Sequence, residues 1–173
     1  MKIQIKEHRY EDVADLPMPL HKKPAKQSFF FRLLLRLVSL PDILATRFSC
    51  TRAGMEKLGA REPALFLMNH SSFIDLEIAS TVLFPRRYSI VCTTDAMVGK
   101  NWLMRRLGCI PTNKFVSDLH LLQDMVYASR EQKSSVLMFP EAGYSLDGRA
   151  TPLPDNFGKC IKMLGLPDRK SVV

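Results

Sequence analysis

Ala64-Leu65-Phe66-Leu67-Met68-Asn69-His70-Ser71-Ser72-Phe73-Ile74-Asp75 begins as five apolar residues and ends in a polar turn. Behind it, Leu76-Glu77-Ile78-Ala79-Ser80-Thr81-Val82-Leu83-Phe84 resumes with helical spacing. A short apolar run bounded by turn residues reads as a buried strand, and the segment after Asp75 reads as a helix. His70 therefore falls where a strand ends and a helix begins, which is where an open α/β sheet exposes its ligand crevice. Asp75 follows five residues later, within reach of a ring nitrogen. A carboxylate on one nitrogen fixes the tautomer and makes the other nitrogen the base. The pair supplies two parts of a Ser-His-Asp triad without a fixed nucleophile, which suits an enzyme whose nucleophile is a substrate hydroxyl. Taken alone, it also fits a buried structural histidine.

Working outward, strand candidates recur at Tyr88 to Cys92, Cys109 to Thr112 and Ser135 to Phe139. Helical stretches lie between them at about 72 to 84, 100 to 107 and 117 to 132, with another starting near Asp155 or Asn156. In the longest, Leu119, Leu122, Met125 and Val126 share a face, with Asp118 in the first turn. Strands alternating with helices predict an α/β fold, a mostly parallel sheet wrapped by helices.

The 173 residues are 46% hydrophobic and 24% charged, ordinary for one globular domain. The net charge of +8 and a pI near 9.5 point to an anionic partner. No helix-turn-helix, zinc-finger or RNA-sheet pattern appears, so nucleic acid is not the expected partner. Cys50, Cys92, Cys109 and Cys160 are too scattered for a metal site and read as reduced thiols. Met1 to Asp15 is polar, unlike a signal peptide, and no apolar run is long enough to cross a bilayer.

Residues 1 to 27 read as an irregular lead-in broken by Pro17, Pro19 and Pro24. An N-terminal amphipathic helix is expected from Ser28, its N-cap, to Leu40, with Pro41 as the stop. Between Lys22 and Arg52 stand seven Lys or Arg and one Asp. An apolar helix in basic surroundings suits an anionic membrane interface, with Arg32, Arg36 and the Lys22–Lys26 cluster supplying the attraction. Packing on the domain's own core explains the helix equally well, and both can hold. The expected organisation is 1–60 lead-in and interface helix, 61–167 α/β domain, and 168–173 a charged, non-native tail that does not continue the apolar pattern.

Two further blocks sit at strand ends. Gly108-Cys109-Ile110-Pro111-Thr112-Asn113-Lys114 begins with a helix-ending glycine and finishes on a cation suited to phosphate. Phe139-Pro140-Glu141-Ala142-Gly143 puts a carboxylate and turn N–H groups after a third strand. Together with NHSSFID, these blocks resemble, in order and separation, the motifs of the glycerolipid acyltransferases over about residues 28 to 167. The match is nearest to the 1-acyl-sn-glycerol-3-phosphate acyltransferase branch. That resemblance implies His70 as general base and Asp75 as its orienting carboxylate. It implies substrate-binding roles for Gly108, Lys114, Glu141 and Gly143, with Arg86 or Arg87 as further phosphate contacts. Lys114 stands where the family usually has Arg, and Ala142 where it has the glycine following the acid. Members of the family continue through a further strand beyond Leu166. The implied reaction transfers an acyl group from an acyl-CoA or acyl carrier protein thioester to a lysophospholipid hydroxyl, in phospholipid biosynthesis at the cytoplasmic face of a membrane. It needs no metal and no cofactor beyond the thioester co-substrate. The competing readings are a His-Asp thioesterase or lipase, although no Gly-x-Ser-x-Gly elbow is present, and a non-catalytic basic lipid-binding fragment.

Overall fold

A computed structural model describes residues 21–51, 53–59, 61–72, 74–112, 119–141, 157–166 and 168–170. Five strands form one sheet: β1 (Leu65–Leu67), β2 (Tyr88–Thr93), β3 (Cys109–Thr112), β4 (Ser135–Met138) and β5 (Asp168–Lys170). Their order is β3-β2-β4-β1-β5, and every pairing is parallel. The helices are α1 (Phe29–Ala45), α2 (Ile74–Val82), α3 (Asn101–Arg106), α4 (Leu119–Arg130) and α5 (Phe157–Leu164), with 3₁₀ turns at Met55–Lys57 and Thr94–Met97. The expected strands and sheet helices are all present, within one to three residues of their predicted ends.

Strands β1 to β4 carry apolar residues on both faces because both faces are covered. Phe66, Leu137, Tyr88, Ile90 and Cys109 pack with Ala79 and Leu83 on the side of α2, and Leu107 and Met104 of the α3 region join them. Leu65, Val136 and Ile110 point the other way, onto Met125 and Ala128 of α4 and Leu164 of α5. Of the expected face of α4, Met125 is buried and Leu122 and Val126 pack beside it, joined by Asp124, Ala128 and Ser129, whereas Leu119 is 74% exposed.

Three expectations need correcting. Pro41 does not stop α1, which continues to Ala45 and closes with the Thr46 N–H on Asp42 O at 2.9 Å. Pro41 and Leu37, whose carbonyl the ring cannot pair with, lie on the outward face, while Ile43 still packs inward. Ser28 occupies the N-cap position but makes no side-chain cap; its carbonyl accepts the Arg32 N–H at 3.0 Å. The charged run 168–170 forms β5, in register with Leu65–Leu67. Strand pairing uses only backbone groups, and an edge position tolerates charged residues that an interior one would exclude.

Residues 21–28 are irregular, as expected, yet firmly attached. Gln27 is buried and bridges two elements, donating to Leu107 O at 3.0 Å and accepting from the Tyr88 N–H at 3.2 Å. Pro24 O accepts from Gln132 Nε2 at 2.6 Å, and His21 meets the buried Asp124 carboxylate at 3.0 and 3.1 Å. This strap lies along the edge where β2 and β4 begin.

Candidate active site

The connection from β1 to β2 passes through α2 on one face, and that from β4 to β5 through α5 on the other. Adjacent parallel strands whose connections diverge leave a crevice beyond their C-terminal ends. Backbone pairing continues past the strands there, with the Met68 N–H on Met138 O at 3.1 Å. His70 emerges from β1 and Glu141 from β4, at this one edge.

His70 Nδ1 lies 2.8 Å from Asp75 Oδ2. The same oxygen accepts the Ser71 N–H at 2.7 Å and the Ser72 N–H at 3.0 Å. Asp75 stands in the first turn of α2, where the helix dipole favours a carboxylate, and it is only 6% exposed. Three donors on one oxygen stabilise the ionised form and fix its position. An acceptor at Nδ1 requires the Nδ1–H tautomer, so Nε2 is the basic nitrogen. The Ser71 and Ser72 N–H groups are committed to Asp75. An oxyanion would therefore need donors other than these two, and in α2 only first-turn N–H groups lack intrahelical partners.

Phe139 was not expected in the site. Its ring stacks on His70 with centroids 4.1 Å apart and planes 22° from parallel. The parallel register of Leu67 with Met138 already implies that the residue after Met138 reaches the turn after Leu67. An apolar plate there restrains the imidazole and excludes water from one face. Beyond it, Glu141 Oε2 is buried with no hydrogen-bond partner among the described residues.

Other predicted site residues lie elsewhere. Gly108 precedes β3 rather than following it, so it stands at the opposite edge of the sheet from His70. It ends α3 with φ +87°, and a Cβ there would come within 3.0 Å of Tyr88 O and 3.1 Å of Gln27 Cβ. Arg86 and Arg87 precede β2 and lie at that same opposite edge, where they cannot meet a phosphate held at His70. Lys114 and Gly143, and Ala142 beside it, fall outside the described residues. All four cysteines are free thiols, with Cys109 buried and Cys50 exposed. The hydrogen bond with Cys92 and then burial push the Cys109 thiol upward, which leaves it inert. Among the described residues no group of three or more His, Cys, Asp or Glu is placed to hold a metal ion.

No curated protein and no solved structure matches the chain. The family model named Acyltransferase matches residues 50–169. That span runs from before β1 to β5, contains His70 and Asp75, and exceeds half of the chain; the chain belongs to the acyltransferase family.

Proposed function

We propose that the protein esterifies the free hydroxyl of a lysophospholipid such as 1-acylglycerol 3-phosphate, using an acyl-CoA or acyl carrier protein thioester. The observation that carries the chemistry is the buried Asp75 carboxylate, held by two backbone N–H groups and the Nδ1 of His70. In this reading Nε2 takes the proton of the acceptor hydroxyl as its oxygen attacks the thioester carbonyl. Asp75 stabilises the imidazolium that forms, and general-base assistance of this kind is worth about 10²–10⁴-fold. Backbone N–H groups in α2 stabilise the oxyanion. As that intermediate collapses, the C–S bond breaks and the imidazolium protonates the leaving thiolate. The protein supplies no covalent nucleophile.

The acceptor is a membrane lipid, and α1 supports a monotopic site. Phe30, Leu34, Leu37, Val38 and Leu44 recur at helical spacing on its outward face and are 41–72% exposed. Trp102 extends that apolar surface: it is 64% exposed and meets Phe31 edge-on at 5.5 Å. Lys22, Lys23, Lys26 and Lys100 are exposed. Arg32 and Arg36 do not contribute as expected from the sequence, because Arg32 is buried and Arg36 lies 4.3 Å over the Phe84 ring. At 17 residues, α1 is about 25 Å long and lies in the interface; no described helix is long and apolar enough to cross a membrane. The acyl thioester places the reaction on the cytoplasmic face, whose anionic lipids attract the exposed lysines. Lys114 is assigned to the acceptor phosphate, Glu141 and Gly143 to its glycerol.

The test is the protein with anionic vesicles, labelled acyl thioester and lysophosphatidate. Labelled phosphatidate is the expected product. Free fatty acid alone assigns a hydrolase instead, and vesicle binding without turnover assigns a lipid-binding module.

A further inference from the structure

The edge of the sheet opposite His70 holds a cleft of about 230 Å³. It is lined by Arg32 from α1, Arg61 and Glu62 before β1, Arg86 and Arg87 before β2, and Lys133 before β4. Five cations thus face one carboxylate. That carboxylate is already engaged, since Glu62 Oε2 accepts the Gly59 N–H at 3.2 Å. Arg86 is partly spoken for: its guanidinium forks onto Glu62 O at 2.6 Å and Gly59 O at 3.0 Å. Arg87 donates one N–H to Gln132 O at 3.1 Å, but its Nε is buried without an acceptor. Arg32 is the anomaly. It is only 6% exposed, yet its Nε and Nη1 are buried with no hydrogen-bond partner among the described residues. Among the described residues no carboxylate forms an ion pair with any of these cations.

A buried guanidinium without a counter-charge is among the most unfavourable groups a protein can carry, and the Phe29 ring, 5.3 Å from the Arg32 Cζ, offsets only a small part of the desolvation. Its neighbours make matters worse: burial and the nearby Arg87 both hold the Arg32 guanidinium below its ordinary value. Among the described residues no carboxylate answers Arg32 or Arg87. Guanidinium forks match the oxygens of a phosphoryl group two at a time. The volume admits a phosphoryl group but falls below the roughly 300–1,000 Å³ of sites that engulf drug-sized ligands. We infer that this cleft is a phosphate-monoester site, distinct from the His70 crevice, in which Arg32, Arg87 and Lys133 grip the phosphoryl oxygens while the rest of the ligand remains outside. Strand β1 and the turn after it separate the two edges by about 15 Å, at roughly 3.3 Å per residue. The site is therefore not the acceptor pocket of the proposed reaction.

The dianion can come from free phosphate or from a lipid headgroup, and α1 places the cleft within reach of a membrane. The experiment uses the full chain and no activity measurement, so its result is independent of the acyl-transfer reading. Thermal unfolding is followed with inorganic phosphate against chloride at matched ionic strength. Binding is then measured to phosphatidylcholine vesicles carrying either phosphatidate or phosphatidylglycerol at equal surface charge. Arg32→Met is expected to melt no lower than the wild type without phosphate, since it removes an unpaired buried charge. It should also lose the phosphate-dependent rise in Tm, or the preference for phosphatidate vesicles, whichever the wild type shows. Lys133→Gln, an exposed change that leaves the core intact, should weaken the same response by roughly tenfold, the worth of one charge-assisted hydrogen bond. A phosphate effect in the wild type identifies free phosphate as the source, and a phosphatidate preference identifies the lipid. A wild type that shows neither response, or variants that respond as it does, overturns the site.

Discussion

Replacing Asp75 by Asn changes one charge and almost no volume, which isolates the electrostatic part of the His70 pair. The side chain keeps an oxygen for the Ser71 and Ser72 N–H groups, now at 2.7 and 3.0 Å, so the turn and the start of α2 should survive. What is lost is the stabilisation of the imidazolium. With Nδ1 and Oδ2 2.8 Å apart, the centres of charge are ~4 Å apart, worth about 4 kcal/mol at an effective dielectric constant near 20. A neutral amide oxygen recovers about 1 kcal/mol of that as an ordinary hydrogen bond. The difference of ~3 kcal/mol corresponds to about 10²-fold in kcat, because the imidazolium exists only once the hydroxyl has lost its proton. If the amide rotates and presents its NH₂ to the ring, the wrong tautomer is favoured and the loss grows. The assay is initial acyl-transfer rate at saturating thioester and lysophosphatidate, with Tm measured alongside. The expected pattern is a fall in kcat with KM and Tm little changed. A folded Asp75→Asn protein with kcat within roughly threefold of wild type, or one whose whole loss lies in KM, refutes the role given to Asp75.

His70→Ala should lower turnover by about 10²–10⁴-fold or more while leaving vesicle binding intact, and retention of near wild-type turnover would remove the base. Leu37→Asp and Leu44→Asp, on the outward face of α1, should each weaken partition into anionic vesicles by roughly tenfold or more without lowering Tm in solution; a drop in Tm with unchanged partition would place that face inside the fold. Lys114→Ala should raise the KM of a phosphate-bearing acceptor more than that of the thioester, and equal effects on both would separate Lys114 from the headgroup. Burial and the adjacent Asp42 raise the Glu77 carboxyl above its usual range. The folded state therefore holds that proton more tightly than the unfolded state, and wild-type stability declines as pH rises from the unfolded pKa through the folded one. Glu77→Gln should melt higher than wild type at neutral pH and lose that advantage as the pH falls below the carboxylate range; a pH-independent difference would show that charge is not its cause.

The parallel sheet was legible because its strands are buried on both faces. β1 and β4 read as short apolar runs ended by Asn69 and Pro140, and β2 and β3 as runs interrupted by Ser89 and Pro111. All four lie close to their predicted limits; the charged β5 carried no such signal. The His70–Asp75 pair was legible because both groups belong to one turn, where spacing determines reach. Longer-range placement was only partly legible. In a parallel sheet, residues before a strand and residues after it lie at opposite edges. Arg86, Arg87 and Gly108 all precede their strands, and that rule alone separates them from His70. Phe139 needed the register of β1 against β4, which no local pattern supplies. The strap at residues 21–28 was illegible for a different reason. Its attachment runs through Gln27, Pro24 and His21 to partners about 60 to 110 positions away, and polar contacts of that kind leave no periodicity.

Helix α1 is turned so that Arg32 and Ser39 face the protein while several of its large apolar residues face outward. Arg32 and Ser39 are inward, and Ser39 Oγ meets Ser80 Oγ of α2 at 3.2 Å in a buried polar contact. Phe30, Leu37, Val38 and Leu44 are outward. In water this is the less favourable orientation on both sides: it forgoes about 1.5–3 kcal/mol for each large apolar side chain left exposed, and it buries a guanidinium without a counter-charge. Rotating the helix by half a turn would exchange the two sets, so the sequence had the alternative available. The Ser39–Ser80 contact, Ile43, the half-buried Leu33, Leu35 and Leu40, and Arg36 over the Phe84 ring hold the observed rotation. The orientation becomes favourable when the outward face lies in lipid and the inward guanidinium meets a phosphoryl anion. The proposed membrane surface and the proposed phosphate cleft thus answer opposite faces of a single helix, and each makes the other energetically reasonable.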